Sequence, residues 1–479
     1  MHPITETVPG SMEPLYASLA NTLRSGMDNG VYQTGDRMPG VRTLSTQQGV
    51  SIATAVMAYR KLEQEGYLES RERSGFYVRP RSVSLAPEPR TSSPALRPRV
   101  VTGQQLVLHM AKSTHDSSIV NLGAAVPTPE FLPMRAIERA LVKAARHHRT
   151  RAATYAFPPG DPELRRQIAQ RMAAAGCPIY PDEIVITNGC QEALTLALRT
   201  VTQPGDVVAI ESPTFYGLLQ VIESLGLEAL EIPTHPREGI SLEALELALE
   251  RWPVKACVAI PNFSNPLGYR MSDARKQHLL ALLTRSGIPL IEDDIYGDLG
   301  FKTPRPTICK GLNRQADVLY CSSFSKTLSP GLRVGWIAPG RHLERVEYLK
   351  YVSNLATPSV PQIAVAELLA SGHYDRHLRS ARSLYAQAVA RMTEAVIRHF
   401  PEGIRVTQPD GGFVIWVELP KSIDSIQLAQ HALAEGVSVA PGPIFSATQK
   451  YKNFIRLSCA CPWDARIERS LATLARLMG

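Results

Sequence analysis

Seven short apolar runs punctuate the middle of this chain, at 184–187, 207–211, 229–232, 256–260, 290–293, 318–322 and 334–338. Segments with helical spacing separate them, such as 192–200 and 242–250. Apolar runs too short for helices, alternating with amphipathic helices, fold into a mainly parallel sheet covered on both faces. The pattern predicts an α/β domain over 115–479. A long helix follows at about 374–400, then strands near 412–418, 437–439 and 454–458 that read as a smaller α+β subdomain. With 479 residues there is room for further domains.

Ligands of parallel sheets sit at the carboxyl ends of the strands, and those ends carry the informative residues. After the run 318–322 comes Ser323-Phe324-Ser325-Lys326-Thr327-Leu328-Ser329-Pro330-Gly331-Leu332-Arg333. A lysine that forms a Schiff base needs a fixed place and a lowered pKa, because the free amine is the nucleophile. Serine hydroxyls and an arginine fork suit a phosphate monoester. Together they describe a site for pyridoxal phosphate, with Lys326 on the aldehyde and Arg333, Ser323 and Ser325 on the phosphate. Asp293 closes the run 290–293 and suits the pyridine nitrogen, where a carboxylate keeps the ring protonated and a better electron sink. Tyr296 and Asn265 can reach the ring oxygen. The turn Thr187-Asn188-Gly189-Cys190-Gln191 joins a strand to a helix, so backbone N–H groups at Gly189, Cys190 and Gln191 can face the phosphate. Phe215, or Tyr216 beside it, can stack on the ring.

These residues resemble the lysine motif and cofactor set of fold-type I aminotransferases. The resemblance implies two further roles. Tyr155, in Tyr155-Ala156-Phe157-Pro158-Pro159-Gly160, matches a tyrosine that reaches the cofactor phosphate of a partner subunit, which implies a homodimer. Arg456, in Phe454-Ile455-Arg456-Leu457-Ser458, matches the arginine that clamps a substrate α-carboxylate. An arginine in an apolar strand needs an anionic partner of some kind.

Residues 11–80 read differently. Leu15, Leu19, Leu23 and Met27 mark one face of a helix over 13–29, closed by Gly30. A short helix over 41–48 follows a Gly35-Asp36-Arg37-Met38-Pro39-Gly40 turn. Ser51 caps a helix over 52–65, with Ala55, Val56, Tyr59 and Leu62 inward and Gly66 at its end. Strands at 67–70 and 76–78 flank Arg71-Glu72-Arg73-Ser74-Gly75. Three helices and a hairpin make a winged helix-turn-helix, a module for the major groove, and wing arginines such as Arg73 suit phosphate contacts. The stretch resembles the GntR-type DNA-binding domain, whose DNA-contacting positions fall on Arg42, Ser51, Thr54, Ser74 and Gly75. Many relatives carry a basic residue where this chain has Ile52. Eight Lys+Arg against eight Asp+Glu in residues 1–80 leave no net excess there, although the chain as a whole is +8.

The two resemblances together are those of MocR-type bacterial transcriptional regulators. They imply a DNA-binding regulator whose aminotransferase-like domain binds pyridoxal phosphate and senses an amino compound or the cofactor itself. An aminotransferase with an accessory DNA-binding domain remains the alternative. Residues 81–114 read as a Pro- and Arg-rich linker, a solvated spacer or a segment that lies along DNA. No apolar run approaches the roughly 20 residues of a membrane span, and seven scattered cysteines without a Cys-x-x-Cys pair indicate no zinc site and fit a bacterial cytoplasm.

Overall fold

The computed structural model describes residues 14–28, 31–32, 35–65, 67–71, 74–78, 86–102, 116 and 118–479. The chain divides into two compact units, Met1–Leu85 and Ala86–Gly479.

In the first unit, helices Leu15–Asp28, Val41–Gln48 and Ile52–Gln64 precede an antiparallel hairpin of Leu68–Arg71 with Gly75–Val78. Gly49 ends the second helix at φ 62, where an L side chain is strained. The Ser51 hydroxyl accepts the Thr54 amide at 3.0 Å and so caps the third helix. Leu19, Leu23, Leu44, Ala58, Tyr59 and Leu62 form the core, and the Tyr59 hydroxyl donates to Pro39 O at 2.6 Å. Two expected core positions differ. Leu15 is 72% exposed because it opens its helix ahead of the packed turns, and Val56 is only half-buried, with Ala58 taking the inward place. Gly30, Gly66 and Arg73 lie outside the described residues.

The second unit is built on one large sheet, in the order Arg99–Val100, Glu228–His235, Val207–Ser212, Val254–Ala259, Leu290–Asp293, Val318–Ser323, Gly335–Ala338, Val185–Thr187. The pairings within the run from Glu228–His235 to Val318–Ser323 are parallel, and Gly335–Ala338 is antiparallel to both its neighbours. Side chains alternate across it as pleating requires. Val207 and Ala209 face helices Leu242–Arg251 and Asp273–Arg285, whereas Val208 and Ile210 face Cys190–Val201 and Tyr216–Ser224. Helix His373–His399 leads to a four-stranded antiparallel sheet, Arg405–Val406, Val414–Glu418, Phe454–Ser458 and Ala440–Pro441, covered by helices Ser425–Ala434 and Ala465–Met478. No helix among the described residues is long and apolar enough to cross a membrane.

Residues 86–101 are neither a solvated spacer nor free. Pro89 and Pro94 are buried, Arg99–Val100 adds an edge strand to the large sheet, and Val406 N donates to Pro87 O at 3.0 Å. The Ser92 hydroxyl donates to Ser212 O at 2.6 Å. An extended, proline-rich segment suits this edge because it keeps its carbonyls as acceptors while offering few amides. Arg90, Arg97 and Arg99 remain exposed.

Candidate functional site

Sheet register brings the expected residues to one edge. Ser323 stands opposite Gly335, and Gly335 opposite Thr187, so the lysine turn, the approach from Arg333 and the start of helix Cys190–Val201 share a row. Asp293 is level with Cys321 on the next strand.

The lysine turn is fixed by its own backbone. Phe324 N donates to Val334 O at 3.0 Å, Leu328 N to Phe324 O at 2.8 Å, and Ser325 N to the Ser323 hydroxyl at 3.2 Å. Lys326 Nζ donates to Ala125 O at 2.5 Å. Burial, with Arg456 and Arg333 nearby, lowers the Lys326 pKa to about 8 against the opposing pull of Asp293. The amine is therefore largely neutral above that point, as a nucleophilic lysine requires. Asp293 is buried, and burial pushes its pKa up to about 6, with Asp294 adding to the shift. Its Oδ1 accepts from the Cys190 thiol at 3.4 Å and from Ile295 N at 3.3 Å.

Arg456 is fully buried in strand Phe454–Ser458. The expected anionic partner is not found among the described residues. The guanidinium donates instead to neutral oxygens, Gly123 O and, at 3.3 Å, Asn265 Oδ1. Its Nε is buried with no hydrogen-bond partner. The Tyr216 and Phe445 rings lie 5.7 Å and 5.3 Å from it. The Tyr296 hydroxyl is likewise buried without a hydrogen bond of good geometry, beside Asn265. Two orphaned buried donors and a lysine of lowered pKa, near enough for Arg456 to act on both Lys326 and Tyr296, fit an anionic, oxygen-bearing ligand.

Arg333 adopts the left-handed conformation at φ 52 and donates from Nη2 to Asn188 O at 2.6 Å. Its guanidinium lies against Gly189, where an added Cβ would come within 2.5 Å of Nη2. Gly189, at φ 88, precedes Cys190 at the N-terminus of the helix, whose free amides favour an anion. The exposed Gln191 side chain donates to Gly217 O at 2.8 Å. Phe215 packs on Tyr216, ring centroids 4.9 Å apart. Tyr155 is not brought to Lys326 within its own chain. It is 68% exposed and stacks on Phe157 at 5.3 Å.

Sequence reasoning missed three contributors. The carbonyls of Gly123 and Ala125 hold Arg456 and Lys326, yet a backbone oxygen leaves no mark on residue type. The Cys190 thiol reaches Asp293, whereas only its amide was considered. Beneath the lysine turn, Asp294 and Asp298 join Arg305 at 2.5 Å and 2.7 Å, and Asp298 also meets Arg171 at 3.0 Å and the Tyr374 hydroxyl at 2.8 Å. The only sequence signal was the charge density of Asp293-Asp294 and Asp298.

In the first unit, Arg42 is exposed on its short helix, and the Ser51 and Thr54 hydroxyls lie 2.8 Å apart at the start of the next. Ile52, 54% exposed, occupies the same helix start. At the wing tip Gly75 has φ 102, and the Ser74 and Tyr77 hydroxyls are 2.7 Å apart. The Arg71 guanidinium covers the Tyr77 ring at 4.3 Å.

Comparison with known proteins agrees with this division. Residues 117–474 match the family "Aminotransferase class I and II", and residues 15–78 match "Bacterial regulatory proteins, gntR family". The chain is 41% identical to YjiR of Escherichia coli strain K12, an uncharacterized HTH-type transcriptional regulator, over 95% of this chain and 97% of that one. It is 28% identical to the HTH-type transcriptional regulator TauR of Rhodobacter capsulatus, over 98% of each. Among solved structures it resembles LysN, the alpha-aminoadipate aminotransferase of Thermus thermophilus, complexed with N-(5'-phosphopyridoxyl)-L-leucine. There the TM-score is 0.72 and the identity 31%, over 79% of this chain and 95% of that one. Such a domain indicates pyridoxal 5'-phosphate as its cofactor. The chain belongs to the class I and II aminotransferase family and, with its gntR-family N-terminal domain, to the MocR-type bacterial transcriptional regulators.

Proposed function

We propose that this regulator holds pyridoxal phosphate at Lys326 and reads a carboxylate-bearing amino compound through Arg456, changing its affinity for an operator. The observation that carries the reading is Arg456, fully buried, facing only neutral oxygens and with Nε unpartnered, in a chain that also has a DNA-binding domain. A desolvated guanidinium without an anion is costly, and a bidentate carboxylate supplies both charge and geometry.

In this reading Lys326 holds the cofactor aldehyde and Asp293 its ring nitrogen. Tyr296 and Asn265 serve the ring oxygen, and Phe215 covers the ring. Arg333, Ser323, Ser325 and the amides of Gly189, Cys190 and Gln191 receive the phosphate, joined by Tyr155 of the partner subunit. When bound, the cofactor supplies an electron sink for the carbon that bears the effector's amino group. A homodimer is supported by an exposed apolar cluster of Tyr155, Phe157, Tyr348, Tyr351, Val352 and Leu355. The domains we assign are 11–80 for DNA and 115–479 for the cofactor, the latter joined by the sheet-edge segment 86–101, working in the bacterial cytoplasm. Arg42, Ser51, Thr54, Arg73, Ser74 and Gly75 are the proposed DNA contacts.

An effector acts on DNA binding only through different affinity for two states of the protein. The test measures operator binding of cofactor-loaded protein, with and without a panel of amino acids. A responding amino acid should shift both the cofactor absorbance and the operator affinity. Arg456→Ala should keep the basal operator affinity and need at least tenfold more effector, since losing one partner of a desolvated charge pair costs about 2–5 kcal/mol. A normal response in Arg456→Ala would contradict the carboxylate assignment. Rapid multiple-turnover amino transfer, with DNA affinity unmoved, would favour the aminotransferase alternative.

A further inference from the structure

Helix Met134–His147 turns Ile137, Ala140 and Ala144 into the core. Arg135, Arg139, Lys143 and Arg146 recur at spacings of four, four and three on its exposed face. Residues 134–151 hold six Lys+Arg (Arg135, Arg139, Lys143, Arg146, Arg149, Arg151) against one acid, Glu138, whereas the whole chain has 52 against 44. Val142 and His147 lie exposed beside them. Two of the cations are engaged, Lys143 with Glu367 at 2.5 Å and Arg151 with Asp161. Among the described residues, no carboxylate forms an ion pair with Arg135, Arg139, Arg146 or Arg149.

A row of like charges, only one of them paired, repels itself and is relieved by a polyanion. The eleven residue steps from Arg135 to Arg146 cover roughly 17 Å at the helical rise, the axial length of about five phosphates on one strand of duplex DNA. The gntR-family domain already brings DNA to this chain. We propose that the exposed face of Met134–His147, continued by Arg149, is a sequence-independent contact for the DNA backbone, outside the N-terminal domain. This rests on the DNA-binding reading of that domain. The contact is assigned to the backbone because the row carries one sign of charge at a length that matches successive phosphates, which position a protein on DNA without specifying sequence.

The experiment uses full-length protein and a long duplex of mixed sequence, titrated at salt from roughly 50 to 200 mM. Replacing Arg135, Arg139, Arg146 and Arg149 together by alanine should reduce the slope of log K against log salt by about 3–4, at roughly 0.9 per phosphate contact. Affinity at the lowest salt should fall at least tenfold. The corresponding four-lysine protein should keep the wild-type slope, and Arg139→Glu alone should weaken binding more than Arg139→Ala, which keeps the test open if the fourfold alanine protein misfolds. An unchanged slope in a folded alanine variant, while Arg42→Ala flattens it, overturns this contact and leaves the N-terminal reading standing. No change from either variant overturns both. An unchanged DNA slope with altered sedimentation, or with lost binding to phosphatidylglycerol vesicles, gives the face to a second copy or to lipid and overturns the proposal.

Discussion

Asp293 and Asp294 are neighbours in sequence, both buried, and they belong to opposite kinds of site. Asp294 is saturated: Arg305 at 2.5 Å, the Tyr320 hydroxyl at 2.8 Å and Asn262 Nδ2 at 3.0 Å all donate to it. Asp298 is held likewise; against the upward push of burial, Arg171 and Arg305 keep its carboxyl well below the usual range. Asp293, facing the lysine, has a thiol and one amide, and its pKa is pushed up to about 6. Lys326 and Arg456 beside it are equally short of ionic partners among the described residues. Pleating explains how one chain step separates the two, since consecutive residues at a strand end point to opposite sides. Charges that complete one another hold a fold together, and buried charges left incomplete mark where a ligand completes them.

The paired region should be the more fragile. Asp298→Ala leaves Arg171 and Arg305 short of a partner in the interior and should cost about 3–5 kcal/mol, measured by urea unfolding of the cofactor-free protein. A cost under about 1 kcal/mol, the range of an exposed pair, would erase the contrast. Asp293→Asn should do the reverse. Without cofactor at pH 7 it should unfold no more easily than the wild type, with a gain of at most about 3 kcal/mol, the equivalent of the shift it abolishes. With pyridoxal phosphate present, the same substitution should weaken cofactor retention.

The pH dependence sharpens the comparison at smaller amplitude. Folding raises the Asp293 pKa to about 6, so between the free carboxyl value of about 3.9 and that point the folded chain binds more protons. Stability contributed by Asp293 therefore falls as pH rises through this window. Asp298 has the opposite sign, its contribution being present above the free value and lost as pH falls through its lowered folded pKa. The wild-type profile minus the Asp293→Asn profile should show a decline from about pH 4 to 6, and a rise there would contradict the assignment.

Much of this was legible in residue order. The parallel strands, the lysine turn and the capped third helix follow from apolar runs, glycines and a serine, all local signals; Leu290–Asp293 and Phe454–Ser458 have the expected bounds. What was not legible depends on distant pairing. The carbonyls of Gly123 and Ala125 reach the site because Val120–Asn121 pairs with Val437–Ser438, more than 300 residues away. Arg171 and Tyr374 come from segments distant from Asp298 and Arg305, and each of the four, taken singly, looks like a surface residue. Pro89 and Pro94 look like linker until the sheet edge that buries them is formed.

The account turns on Lys326 being the residue that holds the cofactor, and that can be read directly. Full-length protein loaded with pyridoxal phosphate is reduced with borohydride, digested and mapped by mass spectrometry. One phosphopyridoxyl group per chain on the peptide containing Lys326, lost in Lys326→Ala while its DNA affinity remains, is the result expected. Label on other lysines in proportion to their exposure, or none, would contradict it.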